Sequence, residues 1–263
     1  MQKETSCINS RSIIEYIKEY RPDKYTELIE DLDPEIDSMP DPEAYLTDPN
    51  NWISCAVICE LYQRARKITQ DERAAYNIGR HAVEKTSMGY AQRILVKAFW
   101  SAKQALRHSQ KINDKWNRSK RVELVEIHRN QARLRLHWDS QMELSKDLCF
   151  INQGTYTYLP LVWGGKPFTL NEHCCYFEGA PYCEYHLKWP VHNRLYEIVS
   201  RFFSSRSVLM ETIREMENDK RIIEAKYEEV NRLNTRLNQK IKQLTAVQDT
   251  GKAILSVLDL NHL

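Results

Sequence analysis

The sequence has almost no excess of one charge sign and no long apolar run. Its 38 Lys and Arg residues nearly balance its 36 Asp and Glu residues, which leaves a formal net charge of +2. So small an excess does not indicate binding to a polyanion. The N-terminal residues MQKETSCINSRS lack the apolar segment of a secretion signal, and no uninterrupted apolar stretch of about 18 residues occurs. We therefore expect a cytoplasmic protein that does not span a membrane.

Common catalytic motifs are absent as well. The sequence contains no nucleophile elbow, no Gly-rich phosphate loop and no HExxH motif. We therefore expect this chain to be non-catalytic. The alternative is an enzyme that uses Cys175 or Cys183 as a nucleophile, with a nearby His, Asp or Glu as the base. That alternative predicts thiols that iodoacetamide alkylates readily.

The apolar pattern predicts helices before residue 114. Residues 10–31 and 51–89 carry apolar residues three and four positions apart, and the pattern over 90–113 predicts a further helix. The segment LDPEIDSMPDPEAYLTDPNN has four prolines and many acids, which predicts a surface loop.

The apolar period then changes to two. Within residues 121–138, Ala132, Leu134, Leu136 and Trp138 alternate with polar residues, as in a strand with one buried face. Arg129-Asn130 is a turn candidate between two antiparallel strands. A helix ending near residue 162 and two more strands, over 168–177 and 184–189, follow. The order β-β-α-β-β after N-terminal helices predicts an α+β fold.

A heptad pattern follows residue 190. Apolar residues recur three and four positions apart over five heptads, which predicts a long helix in a parallel, dimeric coiled coil. The alternative is one long helix packed on its own domain. The predicted seam residues are Leu209, Ile213, Met216, Ile223, Tyr227, Val230, Asn234, Leu237, Ile241 and Leu244.

The chain has seven cysteines, an odd number without a secretion signal, which favours reduced thiols or metal ligands over disulfides. Cys149, Glu172, Cys175 and Cys183 form an ordered set of thiols and one carboxylate that suits a closed tetrahedral metal site. The alternative is that these cysteines are small core residues. Glu172 and Cys175 face opposite sides of a regular strand, so joint ligation requires a bulge or a strand end.

The run CYFEGAPYCEY, residues 175–185, resembles the C-x3-G-x3-C-x-aromatic signature of the 4-vinyl reductase family of small-molecule-binding domains. The set Cys149, Glu172, Cys175 and Cys183 also resembles the zinc-binding set in the sensor domain of phenol- and xylene-responsive activators. This resemblance covers about residues 90–190. It implies a structural zinc beside a buried effector pocket, in an α+β domain of the 4-vinyl reductase type.

The resemblance also implies a domain order. Those activators continue into an ATPase and a DNA-binding domain, whereas this sequence has no Walker A motif and no evident helix-turn-helix. The coiled coil and TAVQDTGKAILSVLDLNHL are instead similar to the signalling helix that leads into a GAF domain in bacterial histidine kinases and cyclases. We expect an N-terminal helical segment with an acidic loop (1–50), the sensor domain (51–190), the coiled coil (191–250) and the start of a linker or GAF-like domain (251–263).

The expected function is a sensory input module for a small molecule, with an aromatic compound as one candidate. The signal would pass through the coiled coil to a histidine kinase, cyclase or transcription activator. An enzyme of the 4-vinyl reductase type is an alternative. A haem-based gas sensor, suggested by architecture shared with haem-NO-binding domains, is another, although the porphyrin-binding Y-x-S-x-R motif is absent. Aromatic side chains and one histidine are the pocket candidates, namely Phe99, Trp100, His128, Trp138, Tyr156, Tyr158 and Trp163.

Overall fold

The computed structural model describes residues 2–84, 99, 101–163, 165–190, 232–237, 239–245, 247 and 248. The chain divides into two compact units, Met1–Ile198 and Val199–Leu263. Every strand found in the described residues belongs to the first unit. None of the helices in these ranges combines the length and the apolar content that crossing a lipid bilayer requires.

The N-terminal part of the first unit contains four helices: α1 (Ile8–Tyr20), α2 (Tyr25–Ile29), α3 (Pro34–Asp37) and α4 (Pro42–Thr47). We predicted a surface loop where α3 and α4 lie, and that prediction is wrong. Asp33 and Asp41 are N-caps whose side chains accept backbone N–H groups, and a proline follows each cap at the first helical position. Ile36 and Leu46 are fully buried, so this segment contributes to the core.

In the described residues, four more helices precede the main sheet: α5 (Cys55–Thr69), α6 (Ala74–Glu84), α7 (Ala102–Arg107) and α8 (Ser109–Asn113). The helices predicted over 10–31 and 51–89 are confirmed over most of the described residues, although Trp52–Ile53 at the start of the second range is a short strand. Residues 90–98 of the next predicted helix lie outside the described residues. Over residues 102–113 the structure has two short helices, with a break at His108, instead of one continuous helix.

The strands form two antiparallel sheets. Strands β1 (Thr5–Ser6) and β2 (Trp52–Ile53) pair with each other. The main sheet consists of β3 (Lys120–Ile127), β4 (Gln131–Trp138), β5 (Thr169–Cys174) and β6 (Cys183–Lys188), in the spatial order β3-β4-β6-β5. Helix α9 (Asp147–Tyr158) lies between β4 and β5 in the chain. The predicted α+β class and β-β-α-β-β order are therefore confirmed.

One face of the main sheet belongs to the core. On β4 the buried apolar residues are Ala132, Leu134, Leu136 and Trp138, and on β6 they are Cys183, Tyr185 and Leu187. Helix α9 packs against β5 and β6. This arrangement buries the apolar residues of the alternating pattern and explains the period of two.

Helices α6 and α9 approach each other closely at two glycines. A Cβ atom at Gly154 would lie 2.1 Å from the carbonyl oxygen of Tyr76, and one at Gly79 would lie 2.4 Å from that of Ile151. Helix α9 ends at Tyr158 and continues as a 3-10 turn over Leu159–Trp163. Pro160 has no N–H group for the α-helical pattern, so the helix is shorter than predicted.

The described residues of the second unit are helical. Of the predicted seam residues, Leu209, Ile213, Met216, Ile223, Tyr227 and Val230 lie outside the described ranges. Asn234 is exposed, and Leu237, Ile241 and Leu244 are 57%, 51% and 68% exposed in the single chain. The coiled coil and its dimer stay predictions.

Candidate functional site

Three cysteines and one glutamate converge beside helix α9. Cys149 lies on α9, Glu172 on β5, Cys175 directly after β5, and Cys183 at the first position of β6. One potential ligand atom from each residue lies within 4.8 Å of all the others. The three cysteines are buried and Glu172 is half-buried. We call these four residues the thiol cluster.

The local backbone explains how Glu172 and Cys175 reach the same side. The register of β5 against β6 shifts between Glu172 and Cys174, and β5 ends at Cys174. The chain then turns through Tyr176–Glu178, and Gly179 adopts a φ of +95° in the left-handed region. The cluster thus has both the bulge and the strand end that joint ligation requires.

Short polar contacts connect the members of the thiol cluster. The Sγ atom of Cys175 lies 3.8 Å from that of Cys149 and 3.8 Å from that of Cys183. The Cys149 thiol donates to Oε1 of Glu172 at 2.9 Å. The Oη atom of Tyr185 lies 2.9 Å from Sγ of Cys149 and also donates to the Cys149 carbonyl oxygen.

The surroundings favour negative charge on Cys183. A hydrogen bond with Cys149, followed by donation from the Tyr176 backbone N–H and the Trp138 indole, lowers the pKa of Cys183 to about 6. The hydrogen bond between Cys149 and Cys183 raises the pKa of Cys149. Burial raises the pKa of Cys175 to about 12. A thiolate beside two thiols and a carboxylate is a donor set that suits a single cation.

Two adjacent cavities lie between the helices and the main sheet. The first has a volume of about 120 Å³ and is bounded by residues of α5, β3, β4 and α9. The second has a volume of about 150 Å³ and is bounded by residues of α7, α8, β3 and α9. Trp138 lines the first cavity and also contacts the thiol cluster through Cys183.

Lys120 lines both cavities. Lys120 pairs across the β3–β4 ladder with Trp138, and its Nζ atom lies 5.3 Å from the centroid of the Trp138 ring. Burial lowers the pKa of Lys120 to about 8. The Lys120 side chain is half-buried, so its ammonium group is partly removed from water.

The pocket residues predicted from the sequence are only partly brought together. Trp138 lines the first cavity and Tyr156 the second. Trp100 lies outside the described residues. Four predicted residues line neither cavity, and their place in a pocket stays a prediction: Phe99 stacks on His108, Tyr158 packs beneath Arg80, Trp163 has a buried Nε1, and His128 has a 56% exposed side chain beside Glu126.

Sequence reasoning missed the polar residues that line both cavities. These are Asn9, Asn117, Lys120, Asn152 and Thr155. One signal was available for Lys120. It lies two positions before the buried Val122 in an alternating strand, which places it on the face that is turned to the core.

No protein-family model matches the sequence, and no curated protein sequence matches it. Similar folds occur among solved structures. A mutant H-NOX protein from Shewanella oneidensis in the Fe(II) ligation state has a TM-score of 0.57, 12% identity, and coverage of 72% of this chain and 98% of its own. The Fe(II)NO state of an H-NOX protein from the same organism has a TM-score of 0.55 and 13% identity, and the match covers 72% of this chain and 99% of that protein. An Fe(II) unliganded H-NOX mutant from K. algicida has a TM-score of 0.50, 9% identity, and coverage of 73% and 98%.

These similarities correct two expectations. The first unit has an H-NOX-like fold, so the resemblance to the 4-vinyl reductase family and to the zinc-containing sensor domain of phenol- and xylene-responsive activators is wrong. The expected structural zinc is wrong with it, because the metal in the similar structures is iron, described as Fe(II). The fold is the one that the haem-based alternative anticipated.

The cavity residues of this chain do not fit a haem. Haem iron takes His, Cys, Met or Tyr as an axial ligand. None of the histidines or methionines in the described part of the chain lines either cavity. Cys55, Tyr62 and Tyr156 do line them, but Cys55 and Tyr62 are each only 1% exposed and are packed into the core, with no room beside them for a porphyrin. A cavity of about 150 Å³ holds a ligand of roughly benzene size, far smaller than a porphyrin.

Proposed function

We propose that this chain is a sensory input module whose first unit binds a small organic molecule in the two cavities. The observation that supports the proposal most directly is the pair of cavities of about 120 and 150 Å³ inside the fold. Concave clefts and cavities that combine apolar side chains with a few polar groups are the usual binding sites of small molecules. The H-NOX-like fold of the first unit also supports a sensory role.

The proposed ligand is an organic molecule rather than a gas held by haem iron. This follows from the cavity lining, which lacks a suitable axial ligand among the described residues. The cavities are bounded by helices on one side and the sheet on the other, so a bound molecule would stabilise one packing of these layers over another. The module itself is proposed to be non-catalytic.

The C-terminal helical segment is proposed to carry the signal as a parallel dimer. Leu237, Ile241 and Leu244 recur at heptad spacing, and more than half of each is exposed in the single chain. Pairing with a second copy would bury them. Sedimentation equilibrium should report a dimer, and Ile241→Lys should weaken it, whereas Lys240→Ala at an exposed neighbouring position should not. A wild-type chain that sediments only as a monomer would contradict this part of the proposal.

A second site is proposed at the thiol cluster. Convergence of four ligand-type atoms within 4.8 Å supports binding of one metal ion by Cys149, Glu172, Cys175 and Cys183. Such an ion would attach α9 to the ends of β5 and β6. The identity of the ion is a question for elemental analysis across the first-row transition metals.

Native mass spectrometry of protein purified from its host tests the ligand proposal. We expect a mass increment from a retained organic molecule that disappears on denaturation, together with no Soret absorption band. The matched control is Leu159→Trp, which should fill the second cavity from its wall and remove the increment. A stoichiometric haem, or failure of the folded protein to bind any member of a small-molecule library, would overturn the proposal.

A further inference from the structure

A polar partition separates the two cavities. The side chains that line both of them are Asn9 from α1, Asn117 from the loop before β3, Lys120 from β3, and Asn152 and Thr155 from α9. All five carry hydrogen-bonding groups. Beyond this partition the second cavity has an apolar wall that includes Ala105, Leu106, Ile112 and Leu159. The site thus has one polar region next to an apolar chamber, as suits a molecule with a polar end and an apolar body.

The partition contains a cation with no described carboxylate beside it. No Asp or Glu lines either cavity in the described ranges. The Nζ atom of Lys120 lies 5.3 Å from the centroid of the Trp138 ring, and the thiols of Cys55, Cys149 and Cys183 act on it electrostatically.

An interior lysine without an acidic partner is costly. Lysine is almost never buried unless it is paired, because removal of an ammonium group from water is unfavourable. Replacement of such a charge by an apolar side chain of similar volume often stabilises a protein. The lowered pKa of Lys120 agrees with this cost. A carboxylate group of a bound ligand would give the charge on the cavity wall a partner that no Asp or Glu of the cavity linings provides.

The neighbouring groups of the partition can also donate to an anion. The Asn117 Oδ1 atom accepts a hydrogen bond from the Ser119 hydroxyl at 2.9 Å, which leaves the amide NH₂ group of Asn117 for another acceptor. The Nδ2 atom of Asn9 donates to the Thr5 hydroxyl oxygen at 2.7 Å, so strand β1 holds Asn9 in position. Lys120 and the Asn117 amide together suit an oxygen acceptor with more than one lone pair.

We propose that the two cavities bind a small monocarboxylate, whose carboxylate group pairs with Lys120 at the polar partition and whose apolar body occupies the second cavity. This inference rests on the proposed function, because it names the chemical class of the sensed molecule. A volume of about 150 Å³ limits the body to about one six-membered ring or a short alkyl chain. Benzoate is therefore a suitable probe, and its neutral isostere benzamide is the matched comparison.

The test measures binding of benzoate and benzamide by isothermal titration calorimetry to the full chain and two variants. Lys120→Met removes the interior charge, and Lys115→Met removes an exposed lysine outside the cavity linings. We expect the wild type and Lys115→Met to bind benzoate at least about tenfold more tightly than benzamide. Lys120→Met should lose that preference while keeping its circular-dichroism spectrum and a melting temperature no lower than that of the wild type.

The outcomes separate this inference from the proposed function. Equal binding of benzoate and benzamide to the wild type, or benzoate binding that survives in Lys120→Met, would overturn the carboxylate inference and leave a neutral-ligand sensor standing. Absence of binding by formate, acetate, propionate, benzoate and benzamide alike would overturn the carboxylate inference too. If the small-molecule library also yields no ligand, the proposed function fails with it.

Discussion

The indole Nε1 of Trp138 donates a hydrogen bond to Sγ of Cys183 at 3.3 Å, while the face of the same ring lies 5.3 Å from Nζ of Lys120. One side chain thus contacts both the thiol cluster and the cavity partition. A change in the charge at either place alters the electrostatic potential at the other, because the three groups are separated by one aromatic ring. The two proposed sites are physically adjacent rather than independent.

The first prediction concerns this indole contact. Trp138→Phe keeps an aromatic ring that packs on Phe177 but removes the donor to Cys183. We expect the free energy of unfolding to fall by about 1–3 kcal/mol, because a buried sulfur that carries negative charge loses a hydrogen bond and the smaller ring leaves a gap. Urea denaturation monitored by circular dichroism measures the change.

Trp189→Phe is the matched control for that experiment. The Trp189 Nε1 donates to the Arg129 carbonyl oxygen at 3.0 Å in an exposed setting. Water can replace a partner at such a position, so the loss should stay below about 1 kcal/mol. An equal loss of unfolding free energy in the two tryptophan variants would contradict a specific stabilising effect of the contact with Cys183.

The second prediction concerns the crossing of α6 and α9. Gly154→Ala would place a Cβ atom 2.1 Å from a backbone carbonyl oxygen, which no side-chain rotation relieves. Alanine favours helix by about 1 kcal/mol over glycine, yet we expect a net loss of at least about 2 kcal/mol from overpacking. Gly179→Ala has no atom within 4 Å of the new Cβ atom and should cost about 1 kcal/mol through its φ of +95°. A stabilised Gly154→Ala variant in chemical denaturation would contradict the close crossing.

The α+β class and most strand positions could be predicted because a sheet with one buried face imposes a period of two on the sequence. Ala132 to Trp138 follow that period, and their buried positions agree with it. The acidic segment was mistaken for a loop because Asp followed by Pro is favoured both in turns and at helix starts. The burial of Ile36 and Leu46 distinguishes a helix from a surface loop here, and that burial depends on the packing of the whole unit.

The family assignment failed for a local reason. The signature over residues 175–185 describes the turn between β5 and β6, where Gly179 is in the left-handed region. A turn motif constrains about ten residues and leaves the arrangement of the other elements open. Lys120 was missed because its importance depends on strand pairing with Trp138 and on helices that enclose the space beside it. Neither relationship is local in the chain.

The third prediction concerns the thiol cluster. Cys183→Ser should lower the metal content of the purified protein from near one ion per chain to near zero and reduce the free energy of unfolding by several kcal/mol, about 3 or more. Binding of an ion and folding are linked, because the donors lie on α9, β5 and β6. Elemental analysis of all first-row transition metals, together with thermal unfolding, measures both effects.

Cys174→Ser is the control for the cysteine series. Cys174 neighbours the cluster in sequence, but its thiol donates to the Tyr182 carbonyl oxygen at 3.5 Å and does not belong to the four converging residues. We expect an unchanged metal content and a stability change within about 0.5 kcal/mol. Stable, ion-free wild-type protein would refute the metal site and leave the cluster as core packing with one anionic thiolate.

The last prediction concerns how far Lys120 lowers the free energy of unfolding when no ligand is bound. Burial lowers its pKa to about 8 from an ordinary value of 10.5. Below pH 8 the lysine is charged in both states, so the burial cost acts in full. Between pH 8 and 10.5 the folded state releases this proton first, the unfolded state binds more protons, and the free energy of unfolding rises with pH.

Lys120→Met should therefore be more stable than the wild type at pH 7, by about 1–3 kcal/mol after allowance for the exposure of Lys120 to the cavities. The difference should shrink as pH rises from 8 to 10. The thiols that act on Lys120 electrostatically, those of Cys55, Cys149 and Cys183, are present in both proteins, so the comparison largely removes their own titration. Guanidinium denaturation of both proteins at several pH values measures the difference. A variant that is less stable than the wild type at every pH would show that Lys120 supports the fold and is not kept for a ligand.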